Sequence, residues 1–303
     1  MPKVSVIIPT QNRAEFLRAA IQSVLKQTFQ DFEIIVVDDA SEDHTSAVMQ
    51  AFGDDSRIQY IRHEVKKGQG ITRNDGIGRA LGEYIALLDD DDEWLPEKLG
   101  KQVRLLDNSP SKVGLVYTGL YRIDASSRRL LYTFYPDNRG DVFEALCRTN
   151  CIGTCSSVLI RRVCFDKIGL FDEKLASKAD YDLWLRIAKE FHVEYIREPL
   201  VFYIAHDNTI STNYESQIQG SEAQLGKYGS LFARDNRSNS DRYFGLGIHY
   251  CLNGNRQKGR EALLEAIKLN PFAVRPYFYL CLVLLGTDNV KKWKQHRDKS
   301  FLR

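Results

Sequence analysis

The first 90 residues alternate between short apolar runs and segments whose apolar side chains recur at helical spacing. The runs are KVSVIIP at 3–9, FEIIVVDD at 32–39, RIQYIR at 57–62 and EYIALLDD at 83–90, and the helical segments lie at 14–27, 42–52 and 71–80. Strands that alternate with helices in this way predict an α/β fold with a mostly parallel central sheet and helices on both faces.

The middle of the chain predicts further strands and helices. Strands are expected at 113–124, 129–135, 156–160 and 193–203, and helices at 96–106, 142–148 and 180–191. We expect antiparallel strands to extend the sheet in this part of the chain.

The composition excludes several classes of function. The 303 residues carry 42 Lys and Arg against 40 Asp and Glu, and a net charge of +2 gives no basis for nucleic-acid binding, which needs a basic face. No stretch approaches the roughly 18 apolar residues of a membrane-spanning helix, and the apolar run in MPKVSVIIPT is too short for a signal peptide. We therefore expect a cytoplasmic protein. The six cysteines lack C-x-x-C spacing, which favours free buried thiols over a zinc site or disulfides.

From residue 215 the composition becomes helical, so we predict an α/β domain at 1–214 and a helical extension at 215–303. The extension resembles a tetratricopeptide-type repeat at Gly245, Tyr250, Gly254, Ala262, Ala266 and the LNP ending at 269–271. The match covers about one repeat and part of a second, whereas an independent array needs about three. Plain helical packing and a surface for a protein partner both remain open. The basic tail KKWKQHRDKSFLR, with Trp293 and Phe301, fits either a solvated end or peripheral contact with the inner face of a membrane.

Polar clusters follow three of the predicted strands: TQNR after the first, DDASED after the second and DDDDE after the fourth. Because ligands of such sheets bind at the carboxyl ends of the strands, we expect these clusters to meet at one edge. The carboxylates expected there are Asp38, Asp39, Asp89 and Asp91. Adjacent carboxylates repel one another unless a cation lies among them, and a D-x-D turn suits Mg²⁺ or Mn²⁺ bridged to a diphosphate. The alternative is a solvated acidic turn that caps the helix near Pro96.

Other polar residues near these strand ends fit a nucleotide. Thr10 and Asn12 offer short polar side chains to a nucleoside, and Asp39 can accept a hydrogen bond from a base or a ribose. Arg73 lies in KKGQGITRNDGIGRALG at 66–82, whose glycines let the backbone approach a ligand. These glycines do not follow a strand, which excludes a Rossmann fingerprint.

Five ordered segments resemble the family 2 glycosyltransferases, which have the GT-A fold, over about residues 1–210. The segments are VSVIIPTQNR, EIIVVDDASED, GQGITRNDGIGRALGEYIALLDDDDEW, GLFDEKL and DYDLWLR. The resemblance implies an inverting transfer of a hexosyl or N-acetylhexosaminyl group from a nucleotide-diphosphate sugar donor, assisted by a divalent cation, Mn²⁺ or Mg²⁺. The acceptor would be a hydroxyl of a glycan or of a lipid-linked glycan, as in surface polysaccharide synthesis.

The resemblance also assigns roles to individual residues. Asp89 and Asp91 are its D-x-D pair, with Asp91 as the metal ligand. The positions that contact the nucleotide are Thr10, Asn12, Asp39, Arg73, Asp89 and Asp90. His206, in YIAHDNTIS, resembles a loop histidine that closes over the diphosphate and is a further candidate metal ligand, although alone it would be typical of a surface histidine.

An inverting transfer needs a general base for the acceptor hydroxyl, and the family places it at the start of the D-x-D-L-W-L-R helix. Asp180 matches this position, and Asp182 is the second candidate. Asp180 could also be the N-cap of that helix, whose dipole would lower its pKa. Arg186 fits a structural ion pair, with contact to the diphosphate as the alternative.

Two departures from the family pattern concern donor and acceptor. Gln11 stands where an aromatic residue usually stacks on the base, and Ala179 stands where a glutamate is common. Neither removes the expected metal or base, so we expect an active enzyme. Two alternatives remain: a nucleotidyltransferase, although TQNRAEF is not the glycine-rich basic loop it needs, and a degenerate transferase domain that acts as a binding scaffold.

Overall fold

The computed structural model describes residues 1–206, 213–286, 289–291 and 293, and the chain divides into two compact units. The sheet unit comprises Met1–Leu146, Asn150–Lys174 and Ala179–His206. The helical unit comprises Cys147–Thr149, Leu175–Lys178 and Asp207–Arg303. The main division therefore follows His206, whereas the sequence prediction places it after residue 214.

The strands and helices of the chain up to His206 mostly alternate, but two pairs of strands and one pair of α-helices follow each other directly. The strands are β1 Val4–Thr10, β2 Phe32–Asp38, β3 Ile58–Arg62, β4 Tyr84–Leu87, β5 Glu93–Trp94, β6 Val113–Asp124, β7 Leu130–Phe134, β8 Val158–Arg161 and β9 His192–Ala205. The helices are α1 Ala14–Leu25, α2 Thr45–Gln50, α3 Gln69–Arg79, α4 Lys98–Asp107, α5 Phe143–Arg148, α6 Arg162–Ile168 and α7 Ala179–Glu190, with a 3₁₀ turn at Cys155–Ser157.

The described strands form one sheet in the order β3-β2-β1-β4-β8-β6-β9-β5, and β7 pairs with β6. Pairs β1–β2, β1–β4, β2–β3 and β6–β9 are parallel, and pairs β4–β8, β5–β9, β6–β7 and β6–β8 are antiparallel. The α/β class is confirmed, and the sheet is mixed because the later strands return antiparallel. Thr10 pairs with Asp38 in the β1–β2 register, so the carboxyl ends of the first strands meet at one edge.

Helices cover both faces of the parallel part of the sheet. Val6 and Ile8 of β1 share a buried cluster with Leu17 of α1, whereas the neighbouring Ile7 points to the other face, towards α3. There a Cβ added at Gly76 would lie 2.5 Å from Ile7 Cγ2. The close approach of α3 to β1 therefore requires glycine at position 76.

Each strand and helix predicted for this part of the chain is present, with ends displaced by a few residues. Two elements escaped prediction: β5, which has only 2 residues, and α6 Arg162–Ile168. The helix predicted at 42–52 is shorter, at Thr45–Gln50, because Asp43 accepts hydrogen bonds from the amide and hydroxyl of Thr45 and so starts the helix there.

The described part of the helical unit contains α8 Tyr214–Phe232, α9 Asn236–Leu252, α10 Arg256–Leu269 and α11 Val274–Leu285. The side chains of Asn213, Asp235 and Asn255 cap the first three by accepting hydrogen bonds from first-turn amides. A Cβ at Gly259 would lie 2.3 Å from Cys251 Sγ, which shows how closely α9 and α10 pack as a hairpin.

The repeat-like positions and the cysteines can be compared with expectation. Tyr250, Ala262 and Ala266 are buried, in keeping with the tetratricopeptide-like pattern. Five cysteines are buried free thiols as predicted, but Cys281 is exposed because α11 presents it to solvent, so the expectation is wrong there.

Within the described ranges, the chain has no helix with both the length and the apolar content that crossing a membrane requires.

Candidate functional site

The acidic turn, residues 89–92, connects β4 to β5 at the carboxyl edge of the parallel strands. It is closed by a hydrogen bond of 3.1 Å from the Asp92 amide to the Asp89 carbonyl. Its side chains alternate in exposure: Asp89 and Asp91 reach solvent with exposed side-chain fractions of 22% and 13%, whereas Asp90 and Asp92 are buried. The two carboxylates of the predicted D-x-D pair are therefore the ones open to a ligand.

The buried carboxylates of the turn are held by the protein. Thr10 Oγ1 donates to Asp90 Oδ2 at 2.7 Å, and Arg13 Nη1 donates to Asp90 Oδ1 at 3.0 Å. Burial, with the charge of Asp91, raises the pKa of Asp90 to about 7, against the lowering effect of Arg13 and Thr10. Asp92 Oδ1 accepts the Ile204 amide at 3.1 Å, and burial raises the pKa of Asp92 well above its usual range. Thr10 and Asp90, both predicted to contact the nucleotide, thus bind each other.

A guanidinium and an imidazole both contact the Asp91 carboxylate. Arg13 Nη1 lies 2.7 Å and His206 Nε2 lies 2.9 Å from Asp91 Oδ2. The His206 ring stacks on Phe16 of α1, with centroids 4.8 Å apart. The structure therefore brings His206 to the acidic turn, as the resemblance implies. Sequence reasoning assigned no role to Arg13. Its position three residues after the end of β1, whose carboxyl end faces the site, was the signal that could have identified it.

An arginine of α3 binds the Asp89 carboxylate. Arg73, with only 4% of its side chain exposed, donates from Nη2 to Asp89 Oδ1 at 2.6 Å, and its guanidinium lies over the ring of Phe171 at 5.4 Å. Burial opposes the charge on Arg73, but neighbouring groups outweigh it and raise the pKa of the guanidinium. These groups are Cys155, Asp89 and Asp180, in decreasing order. Arg73 is therefore a fixed cation between the acidic turn and α7.

Asp180 lies in the first turn of α7, which begins at Ala179, so it is not the N-cap. Its Oδ1 accepts the Tyr181 amide at 2.8 Å. Burial, together with the charge of Asp89, raises the pKa of Asp180, while the Tyr181 amide and Arg73 act in the opposite direction. The expectation that the helix dipole lowers this pKa is wrong, because desolvation of the carboxylate is the larger effect.

Asp182, the second candidate base, forms an ion pair in the interior of the protein. It is fully buried, and its Oδ2 accepts from Arg186 Nε at 2.9 Å. Arg186 also donates to the carbonyls of Ile168 and Leu170, each at 2.8 Å. The expected structural ion pair of Arg186 is confirmed, and it joins α7 to the loop after α6.

Asn12 and Asp39 hold the loops at the ends of β1 and β2. Asn12 Oδ1 accepts the amides of Glu42 and Asp43 at 2.7 and 3.3 Å. The Asp39 carboxylate accepts the Gly68 amide at 2.8 Å. Gln11, which stands at the aromatic position of the family, donates to the Asp39 carbonyl at 3.2 Å.

Asp38 departs from the prediction. It lies at the end of β2, but its side chain is fully buried and points into the protein. Tyr60 donates its hydroxyl to Asp38 Oδ2 at 2.5 Å, and the Ser41 amide donates to Oδ1 at 2.8 Å. Asp38 is therefore not a member of the carboxylate cluster that the sequence led us to expect.

The donor set around the acidic turn can be tested for a divalent cation. In the part of the chain that the structure describes, no three His, Cys, Asp or Glu side chains are already arranged around one metal position. Asp91 and His206 nevertheless touch, and Asp89 lies in the same exposed turn. Asp91 and His206 offer one carboxylate and one imidazole, a donor set compatible with Mn²⁺ or Mg²⁺ whose remaining ligands come from substrate phosphates, since such ions use few protein ligands in nucleotide sites.

The fold and the site together define the class of the protein. A mixed α/β sheet with an acidic turn at the carboxyl edge of its parallel strands, followed by a helical region, is that of GT-A nucleotide-sugar transferases. Residues 5–169 match the sequence profile of glycosyl transferase family 2. The chain therefore belongs to the family 2 glycosyltransferases.

Individual relatives agree with this assignment. An uncharacterized glycosyltransferase of Rickettsia typhi is 37% identical over 227 residues, covering 73% of this chain and 70% of that protein. A Bacillus subtilis protein named putative teichuronic acid biosynthesis glycosyltransferase TuaG is 31% identical. The match covers 70% of this chain and 82% of that protein. Across eight of the curated relatives the match covers between 27% and 82% of each protein.

Solved structures extend the likeness to the whole fold. The structure of S. aureus TarS 1-349 in complex with UDP-GlcNAc superposes with a TM-score of 0.66 at 17% identity, covering 98% of this chain and 92% of that one. At this identity the comparison establishes the shared fold.

Proposed function

We propose that this enzyme transfers a sugar from a nucleotide-diphosphate sugar to a hydroxyl of a glycan or lipid-linked acceptor, with inversion at the anomeric carbon. One observation carries the proposal. Arg73 binds Asp89 of the acidic turn at 2.6 Å and is close enough to Asp180 for that carboxylate to raise its pKa. Arg73 thus connects a turn suited to a diphosphate with the residue that matches the family's general base.

The donor is a nucleoside-diphosphate hexose or N-acetylhexosamine. The exposed pair Asp89 and Asp91 supports this, and so does the complex of TarS, a protein of the same fold, with UDP-GlcNAc. Thr10, Asn12, Asp39, Arg73, Asp89 and Asp90 line or support the nucleotide in this proposal. The inward bonds of Thr10, Asn12 and Asp90 favour a supporting role for those three.

A divalent cation, Mn²⁺ or Mg²⁺, would be held by Asp91 with Asp89 and His206. When bound, it supplies charge neutralisation for the diphosphate leaving group. Arg13 and Arg73 then balance the carboxylates that remain around the site.

Asp180 acts as the general base. Its carboxylate accepts the proton of the acceptor hydroxyl while that oxygen attacks the anomeric carbon from the face opposite the diphosphate. Because burial raises the pKa of Asp180, it accepts a proton more readily than an exposed aspartate would. Asp182 is bound to Arg186 and fully buried, which favours Asp180 over the second candidate.

The acceptor belongs to a surface polysaccharide or its lipid-linked precursor in this proposal, a class supported by the name of TuaG. The helical unit supplies the place for a peripheral membrane contact or a protein partner. Its exposed apolar side chains Phe272, Val274 and Leu285 support such a contact. Phe301, part of the basic tail, lies outside the described residues.

The decisive experiment incubates the protein with a panel of nucleotide sugars, simple glycoside acceptors and Mn²⁺ or Mg²⁺, with an Asp91→Asn variant in parallel. We expect release of a nucleoside diphosphate and a product of inverted anomeric configuration, resolved by NMR, from the native protein alone. A parallel incubation with nucleoside triphosphates and sugar phosphates that releases pyrophosphate instead would support a nucleotidyltransferase. A native protein that neither binds nor turns over any donor would leave the scaffold interpretation.

A further inference from the structure

His63 is a buried imidazole held between two carboxylates outside the cluster around the acidic turn. It follows β3, and only 4% of its side chain is exposed. Nδ1 lies 2.9 Å from Asp39 Oδ1, and Nε2 lies 2.9 Å from Asp75 Oδ2. A carboxylate only accepts hydrogen bonds, so both contacts are hydrogen bonds at once only when each ring nitrogen carries a proton. The two contacts therefore fix the ring between the end of β2 and α3.

The same arrangement fixes Asp39. Besides His63, the amides of Lys67 and Gly68 donate to its carboxylate at 2.7 and 2.8 Å. Gly68 adopts φ of +94°, a conformation that an L side chain rarely takes, and this brings its amide to Asp39. Burial raises the pKa of Asp39, but His63 and the two amides outweigh burial and lower it. Asp39 is thus an ionised, fully oriented acceptor at the end of β2.

We infer that His63 is a positioning residue for the nucleotide: its ring holds Asp39 and the 63–68 loop in the geometry that binds the donor. The inference rests on the proposed function, in which Asp39 accepts a hydrogen bond from the base or ribose. Asp75, which contacts the other ring nitrogen, supports this placement from α3.

A cavity and several charged groups surround His63. A cavity of about 490 Å³ lies beside it, lined by the 61–67 segment and α3. The charged groups that face His63 are Asp39 at the end of β2, Asp75 and Arg79 on α3, and Arg62, Glu64 and Lys67 on its own segment. Lys67 Nζ also lies 3.4 Å from Asp75 Oδ2, so a second cation competes for that carboxylate.

The size of the effect follows from the hydrogen bonds. Without the ring, the Asp39 carboxylate loses the partner 2.9 Å from its Oδ1, and we expect the Kd for the nucleotide to rise about tenfold, the effect of roughly one such bond.

The test measures binding of UDP and of GDP, each with Mn²⁺, by calorimetry, and the donor KM and kcat by steady-state kinetics. The proteins are the native enzyme, His63→Gln, Asp75→Asn and, as a control on the cavity wall, Arg79→Gln. We expect His63→Gln to bind about tenfold more weakly and to raise the donor KM with little change in kcat, because Asp39 loses a fixed partner. Asp75→Asn weakens the hold on the ring from α3, so its Kd should rise by less than in His63→Gln. Arg79→Gln should retain the native affinity.

The outcomes separate the inference from the function on which it rests. Native protein that binds neither nucleotide at any pH overturns the proposed function. Native protein that binds, with His63→Gln showing the same affinity and donor KM, overturns the role of His63 alone. If His63→Gln fails to fold by circular dichroism, Asp75→Asn decides: Asp75 is 42% exposed on α3, and an unchanged Kd in that variant likewise overturns the inference.

Discussion

Arg13 Nη1 lies 2.7 Å from Asp91 Oδ2, the carboxylate oxygen that also contacts His206. The proposed metal ligand is therefore already bound to a cation that belongs to the chain. A divalent ion that arrives at Asp91 must compete with this guanidinium, and the competition sets the affinity of the free protein for metal.

Replacing Arg13 tests this competition. We expect Arg13→Gln to bind Mn²⁺ several-fold more tightly in the absence of nucleotide, because the variant leaves Asp90 and Asp91 without their internal counter-charge. Titration of Mn²⁺ followed by electron paramagnetic resonance measures the free ion directly. Arg18→Gln, in the first turns of α1 just after Arg13 and paired with Glu15, is the matched control and should match the native protein. Equal Mn²⁺ affinity in all three proteins would contradict the competition.

Asp180→Asn tests the general base. We expect kcat to fall by about 10²- to 10⁴-fold, the usual contribution of a positioned base, while the Kd for the donor changes little. Steady-state kinetics with separate donor-binding measurements provide both numbers. Asp182→Asn should show the opposite balance, with lower stability from loss of the Arg186 ion pair but turnover retained in the folded fraction. Turnover of Asp180→Asn within twofold of the native value would exclude it as the base.

The pH profile of the native enzyme should show the state of Asp180. A base works only when unprotonated, so kcat/KM falls as pH decreases through its pKa. Because burial raises that pKa, we expect the acid limb to begin above the value near 4 of an ordinary aspartate. A limb at or below pH 4 would place the base in a more solvated position than the structure does.

Two glycines of α3 provide a matched pair for packing. Gly76→Ala places a Cβ 2.5 Å from Ile7 Cγ2, and overpacking of this kind costs about 1–3 kcal/mol. At Gly78 there is no atom within 4 Å of an added Cβ, so Gly78→Ala should stabilise the helix by up to about 1 kcal/mol. Urea denaturation of both variants gives the free energies of unfolding. Effects of the same sign would show that α3 does not pack on β1 as described.

Lys98 is a buried amine whose charge is costly. It contacts Gln102 Oε1 at 2.7 Å and the Trp94 ring at 3.9 Å, and burial lowers its pKa well below 10.5. Between the folded-state pKa and the unfolded value the unfolded chain binds more protons, so native stability rises with pH by at most about 1.4 kcal/mol per pH unit.

Lys98→Met should remove this slope. We expect the stability of the variant relative to the native protein to be greatest at low pH and to decrease towards pH 10, measured by urea denaturation at several pH values. Lys101→Met, on the exposed side of the same helix, is the control and should leave the native slope in place. Parallel pH dependences of native protein and Lys98→Met would mean that the amine is solvated.

The sequence was informative where chemistry and periodicity are local. The strand and helix alternation and the acidic turn at a strand end follow from short segments that can be interpreted alone, whereas the expected place of His206 came from the family resemblance. Arg13 could not be distinguished from a surface arginine, because its carboxylate partners lie 77 and 78 residues away.

The remaining errors also arise from tertiary structure, which short sequence segments do not show. The inward orientation of Asp38 depends on Tyr60, 22 residues later in an adjacent strand. The raised pKa of Asp180 depends on burial, which the helix dipole argument does not include. Strand β5 has 2 residues and no periodicity to detect, and it forms only by pairing with β9.

The bond from the Ile204 amide to Asp92 spans 112 positions of the chain. During synthesis the acidic turn emerges early, but its partners in β9 emerge more than a hundred residues later. The catalytic edge can therefore be completed only near the end of synthesis of the sheet unit, and a nascent chain stalled before β9 would carry exposed like charges without activity. The chain can therefore become active only after β9, the last strand of the sheet unit, has been synthesised and has paired with the acidic turn.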